Sequence, residues 1–473
     1  MAVHREEFLL LPHLSHDSAL IAWGAFFFDP EPDGEHELID HEDLARPDIG
    51  RRRGCIGLET ESYGGATVRV TRLAAGGAPA ETRDLPVPGG RNHLLVTGLR
   101  PDTRYAYEVR VDGRPWGATP SDFAREGSGR DVRLSPAAWR YRNEFTTFPD
   151  PHGPPVPVTF AVLGDQGSGK QEQYDVAAAL EAAVDRGEVR FIVTTGDNVY
   201  AQVKHSGLLG LLETGVRILT KDLRSSGNED DDWFATFFLP YRRIINRVPV
   251  FPSLGNHDHA ETENEADLAQ HIDNFYLAER FPRLAPRWKG PDGRFETMFY
   301  RFRCGPDLEM VALDTGRPST EPAFERPQHK AFIQEVLGDR SRGWKIPYSH
   351  HPPLSVGPNH PHEPNVQNLA NLFTGLDGFR LWLSGHEHNF QHHRIGDIHY
   401  VVSGASGKRA KGVDKQRVHP GASCCHGDAA HFLLVTVDGP RLTLRAIGTD
   451  GRLIPTKPLA DLPPHPAQIN LTL

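Results

Sequence analysis

Two domains of different class are expected from this chain: an all-β sandwich over residues 1–148 and, after a linker at 149–157, a layered α/β domain over 158–473. Three observations predict it. Up to about Phe148, short alternating segments are separated by Gly and Pro clusters. From Pro149 to Pro157 the chain is Pro-rich. Beyond it, apolar runs alternate with helical periods, the pattern of sheets flanked by helices.

The elements follow in order. Thr67 to Val70 and Tyr105 to Val109 alternate with the period of a strand. Trp23, within Leu20-Ile21-Ala22-Trp23, is expected in the core of the first domain. The run Val96 to Tyr105 resembles the corner of a fibronectin type III sandwich, where a Tyr at the start of a late strand bonds back to nearby backbone. These are packing residues, and no catalysis is assigned to them. In the second domain, Gln171 to Arg186 reads as a helix with Val176, Leu180 and Val184 on one face and Gly187 as its stop. Pro327 to Leu337 reads as another, closed by Gly338. Strands return at Phe432 to Val437 and Leu442 to Ile447.

Composition bounds the function. The chain is 38% apolar and 24% charged, as expected of a soluble globular protein. A net charge of -10 argues against a polyanion, so no nucleic-acid partner is expected, although a local cleft can still take one phosphate. Histidine is frequent, with 25 residues, a hint of metal chemistry. The four cysteines are too few for a disulfide scaffold, and adjacent Cys424 and Cys425 lack C-x-x-C spacing, so they read as loop or core thiols. No stretch has the length of a membrane span, and the apolar run Phe8 to Leu11 is too short for a secretory signal. A cytoplasmic protein is expected, or a secreted or periplasmic one if a leader was removed.

The informative feature is a set of five apolar runs in the second domain that end alike. Val158 to Gly164 runs into Asp165, and Phe191 to Gly196 into Asp197. Val248 to Gly255 runs into Asn256 and His257, Trp344 to Ser349 into His350, and Leu381 to Gly385 into His386 and His388. Buried strands of an open α/β sheet present ligand-binding groups at their carboxyl ends. A Gly before the polar residue, present in four of the five runs, permits a sharp turn and a close approach.

These residues resemble the metallophosphoesterase superfamily and, within it, the purple acid phosphatases. The motifs are Asp165-Gln166-Gly167, Gly196-Asp197-Asn198-Val199-Tyr200, Gly255-Asn256-His257-Asp258, Tyr348-Ser349-His350-His351-Pro352 and Gly385-His386-Glu387-His388. The resemblance spans Val158 to the C-terminus, and the fibronectin-like N-terminal domain resembles that of the larger members. It implies a dinuclear centre in which Asp165, Tyr200 and His388 bind one ion, Asn256, His350 and His386 bind the other, and Asp197 bridges them. His350 or His351 can be the ligand of the fourth motif; Pro352 two residues after His350 favours His350. The implied cofactors are Fe(III), suited to the Tyr200 phenolate, and a second divalent metal (Fe, Zn or Mn). Three anionic side chains and a hydroxide against five metal charges leave about one positive charge for a phosphate. No Ser or Cys stands at a ligand position of these motifs as a nucleophile, so direct attack by a water activated by the metals is expected.

The implied activity is hydrolysis of a small-molecule phosphate ester in the manner of a phosphomonoesterase, without a membrane partner. The alternative is a phosphodiesterase or nucleotide hydrolase with the same metals. A reading of another class is a binding module with a vestigial site. His257 is the expected leaving-group acid. His360 is open between substrate contact and solvated loop, and His351 between substrate contact and packing; His392, His393 and His399 read as structural or exposed. Gly164 to Lys170 nearly spells a P-loop, but Gln171 stands where a Ser or Thr would hold magnesium. Lys170 therefore reads as surface charge. Leu208, Leu212, Val216, Leu219 and Leu223 form a helical stripe, and Glu229 to Asp232 an acidic helix entry.

Overall fold

The structure, a computed structural model, describes residues 3–30, 34–39, 52–53, 57–58, 65–89, 91–125, 131–200, 230–258, 268–316, 318–420, 422–459 and 467–473. The leucine stripe at 208–223, Glu229 and Cys55 lie outside the described residues. The chain forms two compact units. The first holds Met1–Phe148, Tyr200–Pro249 and Gln270–Tyr276; the second holds Pro149–Val199, Val250–Ala269 and Leu277–Leu473.

Among the described residues up to 148 the first unit is all-β. Strands β1 (His4–Leu14) and β2 (Ser18–Pro30) pair antiparallel in an eight-stranded sheet, and β3 (Ala66–Leu73) and β4 (Arg104–Val111) pair in a five-stranded one. Alternation in β4 turns Tyr105, Tyr107, Val109 and Val111 inward, as the period of two requires. Trp23 is fully buried in β2. The Tyr105 hydroxyl accepts the Arg100 N–H at 2.8 Å, the backbone tie expected at that corner. Residues 230–249 join this unit through aromatic packing. The Phe234 ring stands 5.1 Å from Phe26 and 5.3 Å from Phe28, and Phe238 stands 6.0 Å from Phe8.

The second unit is layered α/β. One sheet has the order β7-β6-β5-β15-β16-β17, from β5 (Val158–Leu163), β6 (Ile192–Thr194), β7 (Val250–Pro252), β15 (His431–Asp438), β16 (Arg441–Gly448) and β17 (Gln468–Thr472). The other runs β8-β9-β10-β11-β13-β12-β14 and ends on Lys457–Pro458. Its strands are β8 (Tyr300–Arg303), β9 (Leu308–Ala312), β10 (Trp344–Tyr348), β11 (Leu381–Ser384), β12 (Phe390–Ile395), β13 (Ile398–Ser403) and β14 (Ser423–Gly427). Within the first sheet β5, β6 and β7 are parallel; within the second, β9, β10, β11 and β13 are. Parallel neighbours release their carboxyl ends on the same edge, and so the polar residues after β5, β6, β7, β10 and β11 can meet. These strands are buried almost throughout, which explains why they read as continuous apolar runs.

Helix α1 (Gln171–Asp185) buries Val176, Leu180 and Val184, and the chain leaves it through Gly187 at φ 73°. Helix α2 (Pro327–Leu337) starts on a proline, whose missing N–H costs nothing in the first turn. Helix α3 (Pro364–Leu372) begins the same way. Cys304 and Cys425 are free and buried. Among the described residues, no helix is long and apolar enough to cross a membrane.

Candidate metal centre

The strand ends of the second unit converge on two groups of side chains. Asp165, Asp197 and His388 form one, and His350, His351 and His386 the other; within each group the ligand atoms lie within 4.8 Å of one another. Asp197 reaches both, because its Oδ1 is also 3.3 Å from His350 Nε2. His388 Nε2 stands 3.4 Å from Asp165 Oδ1.

Hydrogen bonding sets which atoms face inward. His350 Nδ1–H donates to the Thr195 carbonyl at 2.8 Å, so its lone pair sits on Nε2. That lone pair faces Asn256 Oδ1 at 3.0 Å, His386 Nδ1 at 3.0 Å and the Asp197 carboxylate. Asn256 Oδ1 and the Asp197 carboxylate are acceptors, and acceptors that converge on a lone pair repel it unless a proton or a cation lies between them; an imidazole with its outer N–H on a carbonyl is the usual metal-ligand arrangement. His351 instead turns Nδ1 to the Thr315 hydroxyl at 2.8 Å and is buried.

The backbone at these ends is unusual. Asp165, Asp197 and His386 have φ of 54°, 52° and 70°, a left-handed conformation that non-glycine residues seldom adopt. Such strain is typically held at functional sites by surrounding bonds. Here the His386 N–H donates to Asp165 Oδ2 at 2.8 Å and the His257 N–H to Asp197 Oδ1 at 3.0 Å. Gly196, at φ 87°, must lack a side chain, since a Cβ there would stand 2.7 Å from His350 Nδ1.

Burial and like charge perturb the titration of the cluster. Burial first, and then the Asp197 carboxylate, hold the Asp165 carboxyl well above its usual range. Burial and then the neighbouring imidazoles of His351 and His350 push His386 well below its ordinary value. His388 is lowered by burial and then by Lys408. His360 falls to about 4 through burial, then His388 and His350. The shifts at His386 and His388 favour the neutral imidazole, the form that can bind a metal, and the buried Asp165 carboxylate gains from a nearby cation.

The expected substrate-facing residues are near. The His360 ring lies 4.1 Å from that of His386 and 5.8 Å from that of His388. Its backbone N–H is held by the Glu387 carboxylate at 2.9 Å. His257 Nε2 is 4.0 Å from Asp197 Oδ2, and its side chain is 20% exposed, enough to meet a ligand. Tyr200 is buried. His392 and His399 are buried and stacked on each other with rings 5.1 Å apart.

The P-loop-like stretch is not an open phosphate cradle. The Ser168 hydroxyl donates to the Gly407 carbonyl at 2.7 Å, and a Cβ on Gly167 would overlap the Asn198 backbone. Lys170 is exposed at the start of α1.

Three further supports have no role in the sequence reading. Asp258 accepts the N–H groups of Gly255 and Asn198, both at 2.9 Å, and the Asn198 amide at 2.8 Å, tying the second motif to the third. Burial, and then Asp197, raise its carboxyl to about 7. Its place in Gly255-Asn256-His257-Asp258 was the available signal. Thr315, after β9, orients His351. Lys408, after β13, is half-buried; burial lowers its ammonium, which Asp197 and Asp165 draw back up. Its neighbours are pinned, Gly407 by Ser168 and Ala410 by its N–H to the His388 carbonyl at 2.7 Å. A single Thr or Lys after an apolar strand carries no distinguishing pattern.

The chain is similar to known proteins in sequence and in fold. Residues 150–390 match the family model of the calcineurin-like phosphoesterases. Purple acid phosphatase 4 of Arabidopsis thaliana is 22% identical over 285 residues, covering 56% of this chain and 71% of the relative. Purple acid phosphatase 3 of the same plant is 23% identical over 309 residues, covering 60% and 73%. Among solved structures, a purple acid phosphatase from yellow lupin (Lupinus luteus) seeds superposes with a TM-score of 0.59 at 12% identity, covering 99% of this chain and 74% of that one. PhoD does so with a TM-score of 0.55 at 11% identity, covering 95% and 88%. At these identities the structural likeness speaks for the fold.

Proposed function

This chain belongs to the calcineurin-like phosphoesterase family, and from that premise we propose that it is a purple acid phosphatase-like enzyme that hydrolyses phosphate monoesters at a dinuclear metal centre. The observation that carries the reading is the convergence of His350 Nε2, Asn256 Oδ1, His386 Nδ1 and Asp197 Oδ1 on one point, with Asp197 shared by the Asp165–His388 group. Asp165, Tyr200 and His388 would hold one ion, Asn256, His350 and His386 the other, with Asp197 between them. Two ions so held supply a nucleophile from water and positive charge for the phosphoryl oxygens. We assign Fe(III) to the Tyr200 side, because a phenolate is a hard anionic donor, and a divalent Fe, Zn or Mn to the other.

The chain's own groups do the rest. His257 stands at the rim with its backbone tied to Asp197, placed to hand a proton to the leaving oxygen. His360 and His351 flank His386, where they can donate to phosphate oxygens. The Lys408 ammonium adds positive charge on the side of Asp165 and Asp197, which favours a dianionic monoester over a monoanionic diester. The corner formed by Tyr105 supports a fibronectin type III-like first domain.

The test is a panel of phosphomonoesters, phosphodiesters and nucleotides with metal analysis and a visible spectrum. Monoesters turn over fastest, about two metals are bound per chain, one of them iron, and the oxidised protein shows a phenolate-to-iron band that Tyr200→Phe abolishes. A colourless iron-loaded protein removes Tyr200 as a ligand. A preference for diesters overturns the substrate class.

A further inference from the structure

His360 sits near the tip of the loop between β10 and α3, and its neighbours Pro358 and Asn359 are exposed. Contacts on the inner side of this loop therefore decide where the imidazole stands. The base of the loop is pinned at Val356. Its N–H donates to Gln391 Oε1 at 2.9 Å, its carbonyl accepts the Asp414 N–H at 2.7 Å, and it bridges to Pro361. The Ser355 hydroxyl donates to the His360 carbonyl at 2.8 Å and accepts the Gly357 N–H at 3.1 Å.

At the tip, one acidic side chain holds the loop. Glu387, in the turn between β11 and β12, is buried, and its Oε2 accepts the His360 N–H at 2.9 Å. The fit is close, since a Cβ on Gly357 would overlap the same carboxylate. Arg417 closes the loop from another side. It donates from Nη1 to the Gly357 carbonyl and pairs through Nε with Asp414 at 3.2 Å.

A buried carboxylate is costly, and here it also sets negative charge beside a site that has to attract phosphate. Its chain neighbours His386 and His388 are the groups that converge with the other strand ends, whereas Glu387 bonds to the loop. What the carboxylate secures is the place of His360, whose ring lies 4.1 Å from that of His386 and 5.8 Å from that of His388.

We propose that Glu387 is a positioning residue that clamps the 357–360 loop so that the His360 imidazole faces phosphate bound at the metal pair. The inference rests on the reading of His360 as a substrate-facing group of a phosphate-ester hydrolase. One turn then carries both the paired histidines and the clamp, so the substrate contact is held in register with the metal centre.

Phosphate affinity reads this directly. Inorganic phosphate is titrated calorimetrically into the metal-loaded protein, with metal analysis and steady-state kinetics on a monoester alongside. His360→Ala should weaken phosphate binding about tenfold, the worth of one hydrogen bond to a charged group. Glu387→Ala should keep the bound metal, weaken phosphate by a similar factor and raise KM more than it lowers kcat. In a His360→Ala background it should add nothing further. Glu387→Gln keeps an oxygen acceptor for the His360 N–H and should restore binding to within about threefold of wild type. Gly357→Ala, which crowds the carboxylate, should reproduce Glu387→Ala, and it decides should that variant fail to fold. Loss of metal from Glu387→Ala, or an equal weakening whether or not His360 is present, overturns the clamp. Unchanged phosphate binding by His360→Ala overturns the substrate reading of His360, and the clamp with it. A wild type that binds metal but no phosphate fails the hydrolase reading instead.

Discussion

At the scale of single residues, the site is built by side chains that accept an unfavourable backbone to be in the right place. Left-handed φ at Asp165, Asp197 and His386 costs on the order of 1 kcal/mol or more each, and glycine would avoid it. Glycine has no side chain to offer the proposed metal ions, so chemistry decides the residue and the surrounding hydrogen bonds hold it. His257 differs: its backbone bond to Asp197 survives removal of the side chain. His257→Ala should therefore leave the bound metal unchanged while lowering turnover by about two to four orders of magnitude. The loss should shrink for nitrophenyl esters, whose leaving group needs little protonation. Steady-state kinetics on an alkyl and a nitrophenyl ester, with metal analysis of both proteins, checks this; equal losses on the two esters would remove His257 as the acid.

At the scale of elements, what could be read in advance is what repeats. Five apolar runs ending in Asp, Asn or His exposed the parallel sheet ends, and α1 and α2 showed their apolar face and their Gly or Pro punctuation. The contributions of β9 and β13 were invisible, because Thr315 and Lys408 are ordinary residues whose roles depend on strand order. So was the packing of residues 230–249 with the N-terminal strands, which rests on Phe234 and Phe238 meeting Phe26 and Phe8 across more than two hundred positions. The turn after β13 yields a prediction. A Cβ on Gly404 would overlap the Glu387 carbonyl and stand 2.8 Å from Asp165 Oδ2. Gly404→Ala should displace Asp165, lower metal occupancy and cut kcat by about 10²-fold, the cost of a misplacement near 1 Å. Circular dichroism should show the fold retained; full metal content and activity would contradict the close packing of this turn on Asp165.

At the scale of the whole molecule, metal binding and folding stability are linked through protons. In the metal-free protein, Asp258 has its carboxyl raised from 3.8 to about 7, and Asp165 is also held high, both chiefly by burial. A raised folded pKa contributes stability that is complete below the unfolded value and is lost as pH climbs through the folded value. For Asp258 that window runs from about pH 4 to about 7, and at 1.36 kcal/mol per pH unit the loss is on the order of 4 kcal/mol. His386 and His360 act in the opposite direction, their stability being lost as pH falls. His386 is held well below its ordinary value and His360 at about 4, so these folded imidazoles hardly titrate between pH 5 and 8. Deprotonation of the unfolded imidazoles at about 6.5 strengthens the metal-free fold as pH rises across that range, while its carboxylates weaken it. Bound cations reverse this, since they keep Asp165 ionised and cancel the charge of Asp197 that Asp258 feels. Both forms share one unfolded state, so the unfolded groups drop out of the comparison. The difference in Tm between metal-loaded and chelator-stripped protein should therefore widen steadily from pH 5 to pH 8, and loading should release protons in weakly buffered solution. Thermal melts of both forms at four pH values, with a pH-indicator titration of the stripped protein, measure the two effects. A Tm gap that is constant or narrows with pH would mean that the buried carboxylates are not the groups the metal ions discharge.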